Sequence, residues 1–353
     1  MKSILVTGGC GFIGSNFVRL VCAERDWRVV NLDKLTYAGN LENLADVSSQ
    51  LLRFVHGDIR DRSCVESILQ EEEPWAIVNF AAESHVDRSI LDAAPFIDTN
   101  IAGTQNLLEA CRNRPVEKFL HISTDEVYGD REGREAAHES GALMPSSPYA
   151  ATKASADLLC FSYRRTYGIP VVITRSSNNY GPYQFPEKLI PLLIRNGLNG
   201  MELPVYGDGR QIRDWLYVED NCRAILAVLE KGQVGSIYNI GTGEERTNLS
   251  VVEAICAAIA ERQGLDCGQL KERIRCVTDR PGHDRRYAIE TGRMRDEIGW
   301  RQRMEFGDGL RDTVNWYLDH ADWIAHVTSG EYRKYYDSVY ARAWGQSALW
   351  KRF

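Results

Sequence analysis

No apolar run in the 353-residue chain approaches the ~20 residues that a membrane-spanning helix requires. Met1 is followed directly by Lys2 and a strand-like segment, so the expectation is a soluble, cytoplasmic protein without a targeting segment. Disulfide and metal frameworks are missing as well. The nine cysteines are scattered, odd in number and without a Cys-x-x-Cys pair, which suits small core hydrophobes in a reducing compartment and gives no metal-site spacing. Positive charge is in deficit: 42 Lys plus Arg stand against 49 Asp plus Glu, a net charge of −7, which argues against general affinity for nucleic acid or anionic membrane. An anionic ligand would have to be held by locally gathered cations. No internal repeat or low-complexity linker divides the chain. A polypeptide of this length buries about three quarters of its unfolded surface, enough for one large domain or two joined ones without covalent staples.

What is present begins with Ser3 to Thr7, a β-branched apolar run leading into Gly8-Gly9-Cys10-Gly11-Phe12-Ile13-Gly14, after which Phe17, Leu20 and Val21 recur at helical spacing. Strand, glycine turn and helix in that order let backbone amides approach a pyrophosphate at a helix N-terminus; a merely tight turn is the alternative. A second strand, Arg28 to Leu32, ends in Asp33, about 20 residues past the last glycine, where a carboxylate accepts hydrogen bonds from an adenosine ribose. An acid there repels a 2′-phosphate and favours NAD over NADP. Arg53 to Val55 is a third strand, and Asp58 beyond it either bonds an adenine amine or caps the helix of residues 62 to 70. Trp75 to Ala82 reads as a fourth strand and 119 to 123 as a fifth, with Gly103 to Arg114 a helix between them. Strands alternating with helices imply an α/β fold with a right-handed, doubly wound parallel sheet.

The chemistry concentrates in residues 119 to 153. Thr124, Asp125 and Glu126 fall at the carboxyl end of the fifth strand, where open α/β sheets place ligands. Ser146 or Ser147 can cap a helix with Pro148 at its first position, so Tyr149 and Lys153 fall one turn apart on one face. An ammonium beside a phenol is expected to lower the pKa of Tyr149 and make it a base. His85 is read as structural, with catalysis as the alternative. After the strand Val171 to Thr174 the texture turns polar and aromatic, so residues 1–175 form the expected dinucleotide-binding domain. Residues 176–353 form a smaller lobe, with about 215–242, including the strand Tyr238 to Gly241, returning to the first domain. Arginines in Gln211 to Trp215 and Asp279 to Tyr287 suit a diphosphate, or else form surface ion pairs. In the tail, Tyr332, Tyr336, Tyr340, Trp344 and Trp350 describe a terminal helix docking on the body, with stacking on single-stranded nucleic acid the alternative.

These blocks together resemble the extended short-chain dehydrogenase/reductases, and within them the dTDP-glucose 4,6-dehydratases. The likeness runs from Ile4 to about Tyr340 through the Gly8–Gly14 turn, Leu35 to Asn40, Ala81 to Asp87, Ser123 to Gly129, Tyr149 with Lys153, Ser177 to Pro182 and Asp279 to Tyr287. Thr-Asp-Glu is the specific part, since related epimerases carry small or neutral residues at Asp125 and Glu126. The resemblance implies a nucleotide sugar, dTDP-glucose, as substrate, with NAD recycled within each turnover. It implies catalytic roles for Thr124, Asp125, Glu126, Tyr149 and Lys153, with Tyr149 as base, Glu126 taking the C5 proton and Asp125 protonating the leaving 6-hydroxyl. It implies cofactor contacts at Gly8, Gly11, Phe12, Ile13, Gly14, Asp33, Lys34, Thr36, Asp58, Ile59, Ala81, Ala82, Tyr149 and Lys153. Substrate contacts are implied at Ser84, Thr124, Asn178, Asn179, Glu187, Lys188, Arg213, Asn248, Arg280 and His283, and a homodimer through helices like Gly103–Arg114 and Tyr149–Thr166. Alternatives are a 4,6-dehydratase of another nucleotide hexose, a 4-epimerase or decarboxylase on the same fold, and a silent NAD-binding scaffold.

Overall fold

A computed structural model describes residues 1–328, so the aromatic tail from 331 onward lies outside the described residues. Seven parallel strands form the central sheet: β1 (Lys2–Thr7), β2 (Trp27–Asp33), β3 (Leu52–His56), β4 (Ala76–Asn79), β5 (Lys118–Thr124), β6 (Val171–Ser176) and, from much later in the chain, Ile237–Ile240. The last pairs with β6 through Ile237↔Ile173 to Ile240↔Ser176. In spatial order β1 sits beside β4, with β2 and β3 on one side of that pair and β5, β6 and Ile237–Ile240 on the other. The chain therefore reverses direction across the sheet at β1 and β4, and the carboxyl ends of these strands open a crevice.

Alternation along β1 assigns the two faces. Ile4 and Val6 pack with Phe17 and Val21 of the Phe12–Glu24 helix and with Cys222 and Ile225 of the Val218–Lys231 helix. Leu5, on the opposite face, joins Leu107, Leu108, Cys160 and Tyr163 from the Thr104–Asn113 and Pro148–Tyr167 helices. Burial on both faces makes the central strands continuous apolar runs, and the strand read as Trp75 to Ala82 is only four residues long. Residues 97–103, directly before Thr104, form a π-helical turn, a feature that apolar spacing does not reveal.

The remaining strands, β7 (Asn178–Tyr180), β8 (Leu203–Tyr206), β9 (Ile212–Tyr217), β11 (Glu245–Thr247) and β12 (Ile274–Val277), with β10 denoting Ile237–Ile240, build a second lobe as a three-stranded and a two-stranded sheet. Its own core joins Leu193, Trp215, Ile255, Leu310 and Tyr317, from β9 and the Leu189–Leu198, Asn248–Gln263 and Phe306–Asp319 helices. No described helix is long and apolar enough to cross a membrane.

Candidate active site

Two adjoining clefts occupy the crevice. The first is lined by Gly8, Gly11, Phe12, Ile13, Gly14, Asp33, Lys34, Thr36, Asp58, Ile59, Ala81, Ala82, Ser84, Tyr149 and Lys153, so the residues expected to hold a dinucleotide lie along one continuous surface. Its floor depends on missing side chains. Gly8 is in the left-handed region at φ 72°, and a Cβ on Gly14 would collide with the Gly8 carbonyl oxygen. Asp33 is buried beneath the turn and accepts from the Cys10 amide at 2.8 Å and the Leu35 amide at 2.8 Å. Burial raises its pKa, and those two amides oppose the shift. Asp58 also faces this cleft. Of the two alternatives for Asp58, the helix cap falls instead to Asp61, whose carboxylate accepts from the Cys64 amide, whereas Asp58 pairs with Lys34 at 2.9 Å and Arg60 at 3.0 Å. Burial works against its ionisation, but these cations bring it down to about 2.

The second cleft is lined by Glu126, Asn178, Asn179, Glu187, Lys188, Arg213, Asn248, Arg280 and His283, together with Asp87 and Tyr206. Glu187, Lys188 and Gln184 border both clefts and mark their junction. Six buried polar atoms in this wall find no hydrogen-bond partner among the described residues: Asn178 Oδ1, Asn179 Oδ1, Gln184 Oε1, Trp215 Nε1, Asn248 Oδ1 and Arg280 Nε. Orphaned groups of this kind carry a desolvation cost that a polar ligand relieves. Three cations converge here. Arg280 donates to Asp87 at 2.9 Å, Lys188 to the Ser84 carbonyl at 2.8 Å, and Arg213 lies over the Tyr287 ring at 4.1 Å while donating to the Asp284 carbonyl at 2.8 Å.

Between the clefts stands the group built by β5 and the Pro148–Tyr167 helix. Ser147 caps that helix by accepting from the Ala150 amide, and Pro148 occupies the first turn, which places Tyr149 and Lys153 one above the other. Thr124 ends β5 and donates to Asp125 at 3.2 Å, so the strand passes into a 3₁₀ turn that carries both carboxyls. Thr124 and Asp125 lie behind the surface of both clefts, Glu126 faces the second, and Tyr149 and Lys153 face the first. Asp125 is 4% exposed, and burial, reinforced by the neighbouring Glu126, raises its pKa to about 8, so it is protonated at neutral pH. Burial also raises the pKa of Glu126, but Arg280, Lys188 and Arg213 oppose the shift. Two adjacent carboxyls thus differ in their surroundings: one meets few cations and the other three.

The expectation that Lys153 lowers the Tyr149 pKa needs correction. Burial raises the phenol, with Glu126 and Asp125 adding to the rise and a hydrogen bond with Thr124 opposing it. Lys153 spends its ammonium on the Ile122 carbonyl at 2.6 Å, and burial lowers its own pKa to about 8. Sequence reasoning also passed over Asp87, the partner of Arg280, and Tyr287, whose hydroxyl lies 3.5 Å from Glu126. Both fall in blocks that carried the resemblance, but their chemistry depends on contacts far apart in the chain. Gln184 left no signal in the sequence at all. His85 is buried 3.8 Å from Glu187, in the wall of the second cleft.

Comparison with known proteins gives the arrangement a context. The family model described as GDP-mannose 4,6 dehydratase matches residues 5–313. A dTDP-glucose 4,6-dehydratase from Xanthomonas campestris pv. campestris is 52% identical over 344 residues, 94% of this chain and 98% of that relative. Crystal structures of a dTDP-glucose 4,6-dehydratase double mutant from Streptomyces venezuelae and of one from Bacillus anthracis, both with NAD, superpose with TM-scores of 0.87 and 0.85. They are 47% and 45% identical, and each match covers 93% of this chain and 100% of the other.

Proposed function

Because the chain belongs to the GDP-mannose 4,6-dehydratase family, we propose that it converts dTDP-glucose into dTDP-4-keto-6-deoxyglucose and water, using NAD as a recycled cofactor. The observation that carries this is the junction of the clefts, where a phenol stands with two adjacent buried carboxyls in unlike surroundings, Asp125 beside Glu126 and Glu126 facing Arg280, Lys188 and Arg213. An epimerase needs the phenol but has no use for a buried acid and base beside it.

The first cleft fits NAD: its glycine turn leaves the space that a pyrophosphate would fill, and Asp33 lies beneath the turn with its charge facing the cleft. Bound NAD supplies a hydride acceptor and later a hydride donor, and it adds a positive charge to the cleft. The Lys153 ammonium and the positive charge of bound NAD favour the phenolate form of Tyr149 against burial; that phenolate takes the proton of the sugar 4-hydroxyl and becomes the phenol, while Thr124 hydrogen-bonds the same oxygen. The 4-ketone formed in this way acidifies the C5 hydrogen, which Glu126 removes. Asp125 gives its proton to the departing 6-hydroxyl, and water leaves. The two electrons withdrawn at C4 return at C6, C5 regains the proton held by Glu126, and the proton that Tyr149 took from the 4-hydroxyl replaces the one that Asp125 gave to water, so all three groups are reset. Arg213, Arg280, Lys188 and His283 hold the diphosphate, while Asn178, Asn179 and Asn248 supply the polar contacts for which their unpartnered oxygens are free. Ser84 and Glu187 border the sugar.

Purified protein incubated separately with dTDP-, UDP-, CDP- and GDP-glucose should release water from the thymidine substrate in preference to the others, read by product mass. Inversion at C4 without water loss, or no turnover of any nucleotide hexose, would overturn the assignment. Asp33→Ala should weaken NAD binding about 10- to 100-fold and narrow the gap to NADP, because it removes the ribose acceptor and strands two buried amides. Titration of apoprotein with both nucleotides decides this; wild-type protein that binds NADP as tightly as NAD would sink it.

A homodimer is supported by Leu158 at 59% and Tyr167 at 45% exposure on the Pro148–Tyr167 helix. Light scattering that returned the 40.0 kDa of one chain would remove that reading. A cytoplasmic location is supported by nine free cysteines, five of them buried; recovery of the protein from a membrane or extracellular fraction would count against it.

A further inference from the structure

Behind Lys153, on the side away from the clefts, a chain of buried polar groups crosses the sheet. Thr7 donates to Asn79 Oδ1 at 2.6 Å, which fixes the orientation of that amide. Asn79 Nδ2 must then be the donor towards His121 Nδ1 at 3.3 Å, and the ring carries its proton on Nε2. That nitrogen faces Asp157 Oδ1 at 3.7 Å, beyond hydrogen-bond distance, and neither atom has a hydrogen-bond partner among the described residues. The second oxygen of Asp157 accepts from Arg175 Nε at 2.9 Å. Arg175 is anchored in turn by donating to the Tyr128 hydroxyl at 2.8 Å, and that hydroxyl donates to Asn239 at 2.8 Å. Asp157 is wholly buried and Arg175 is 1% exposed. Burial raises the pKa of Asp157, and Arg175, Lys153 and the Ser123 hydroxyl oppose that shift, so every group facing the carboxylate supports its ionised form.

Asp157 lies four residues after Lys153 on the same helix, and so on the same face. We propose that Asp157, oriented by Arg175 and His121, is a positioning residue that keeps the buried Lys153 side chain an ammonium directed at the cofactor cleft. The inference rests on the reading of Lys153 as part of the reaction machinery. Lys153 is 4% exposed and has a single carbonyl as acceptor, so it lacks the hydration that normally stabilises the charge. The groups packed around it are few. Its own helix presents Tyr149, Asp157 and Cys160, whose thiol burial keeps neutral; β5 presents His121, also neutral; β6 presents Arg175; and the 97–103 turn contributes only the uncharged Asn100, bonded to Thr152. Asp157 is the one anion among these neighbours, and its charge opposes the lowering of the lysine pKa by burial.

The test is the single-turnover rate of 4-keto sugar formation against pH. In wild-type holoenzyme this rate should fall as pH rises through about 8, as the lysine loses its proton. In Asp157→Asn the fall should move about one pH unit lower, so the rate at pH 9 should drop about 10-fold, and the sugar KM should stay unchanged. The double variant Asp157→Asn/Arg175→Gln removes the buried guanidinium that the single variant would strand and decides the matter if the single variant does not fold. It should show the same displaced limb, while Asp157→Glu should restore much of it. A limb that coincides with wild type in the folded double variant would overturn the role of Asp157. Wild-type enzyme that forms no keto sugar would instead remove the underlying assignment.

Discussion

Tyr149→Phe should form no 4-keto sugar in a single turnover, whereas Glu126→Gln should form it and then stop before water is lost. Tyr149, as phenolate, is the group at the cleft junction able to receive the 4-hydroxyl proton, since Asp125 already holds one and Glu126 faces the other cleft. Phenylalanine preserves the ring contact with Phe96, a T-shaped pair with centroids 6.4 Å apart, so packing is kept and only the hydroxyl is lost. Removal of a positioned acid or base costs about 10²- to 10⁴-fold. Glutamine at 126 keeps the shape of the side chain and loses the base. Arg280, Lys188 and Arg213 then lose an anion, which can tighten substrate binding while elimination slows by the same order. Chemical quench and mass measurement separate the two variants: a C4 ketone with its 6-hydroxyl intact marks the block at Glu126. Equal ketone formation in both variants would deprive Tyr149 of its role, and normal water loss from the glutamine variant would do the same for Glu126.

What was legible in the sequence was whatever local geometry determines. The glycine turn, the acid ending β2, the Ser147–Pro148 start of the helix and the pairing of Tyr149 with Lys153 follow from spacings of a few residues, and the parallel sheet follows from the alternation of apolar runs. Local rules failed where a choice between neighbours or a long-range partner decides. The Arg62–Glu72 helix could be capped by Asp58 or Asp61, and the structure gives the cap to the residue adjoining the helix, freeing Asp58 for the cleft. The effect of Lys153 on Tyr149 was inferred from proximity, yet burial dominates both groups and the ammonium turns to a backbone carbonyl. Arg280 meets Asp87 across 193 positions, and no periodicity foreshadows such a pair. The π-helical turn at 97–103 likewise meets a distant partner, the Pro148–Tyr167 helix, whose Thr152 accepts from Asn100.

The sharpest division of labour concerns Asp125. With its pKa raised to about 8, chiefly by burial and then by Glu126, the carboxyl carries its proton through neutral pH, and elimination should slow as pH rises through about 8. Asp125→Asn cannot give up a proton, so water loss should fall about 10²- to 10⁴-fold at every pH. Glu126 remains able to take the C5 hydrogen. In heavy water the asparagine variant should therefore accumulate 4-keto sugar with deuterium at C5 and the 6-hydroxyl in place, whereas Glu126→Gln should accumulate the same ketone without exchange. Stability gives an independent check of sign. Between the ordinary value of 3.8 and about 8 the native state keeps a proton that the unfolded chain releases, so folding loses stability as pH rises across that window. At about 1.4 kcal/mol for each pH unit of difference the loss has a ceiling of about 6 kcal/mol, shared with Glu126 because the two carboxyls titrate together. Asparagine is neutral throughout, so the variant should gain Tm over wild type at pH 9 and little at pH 4. Equal C5 exchange in the two variants, or a Tm difference that does not grow with pH, would show that Asp125 is not the buried acid of the reaction.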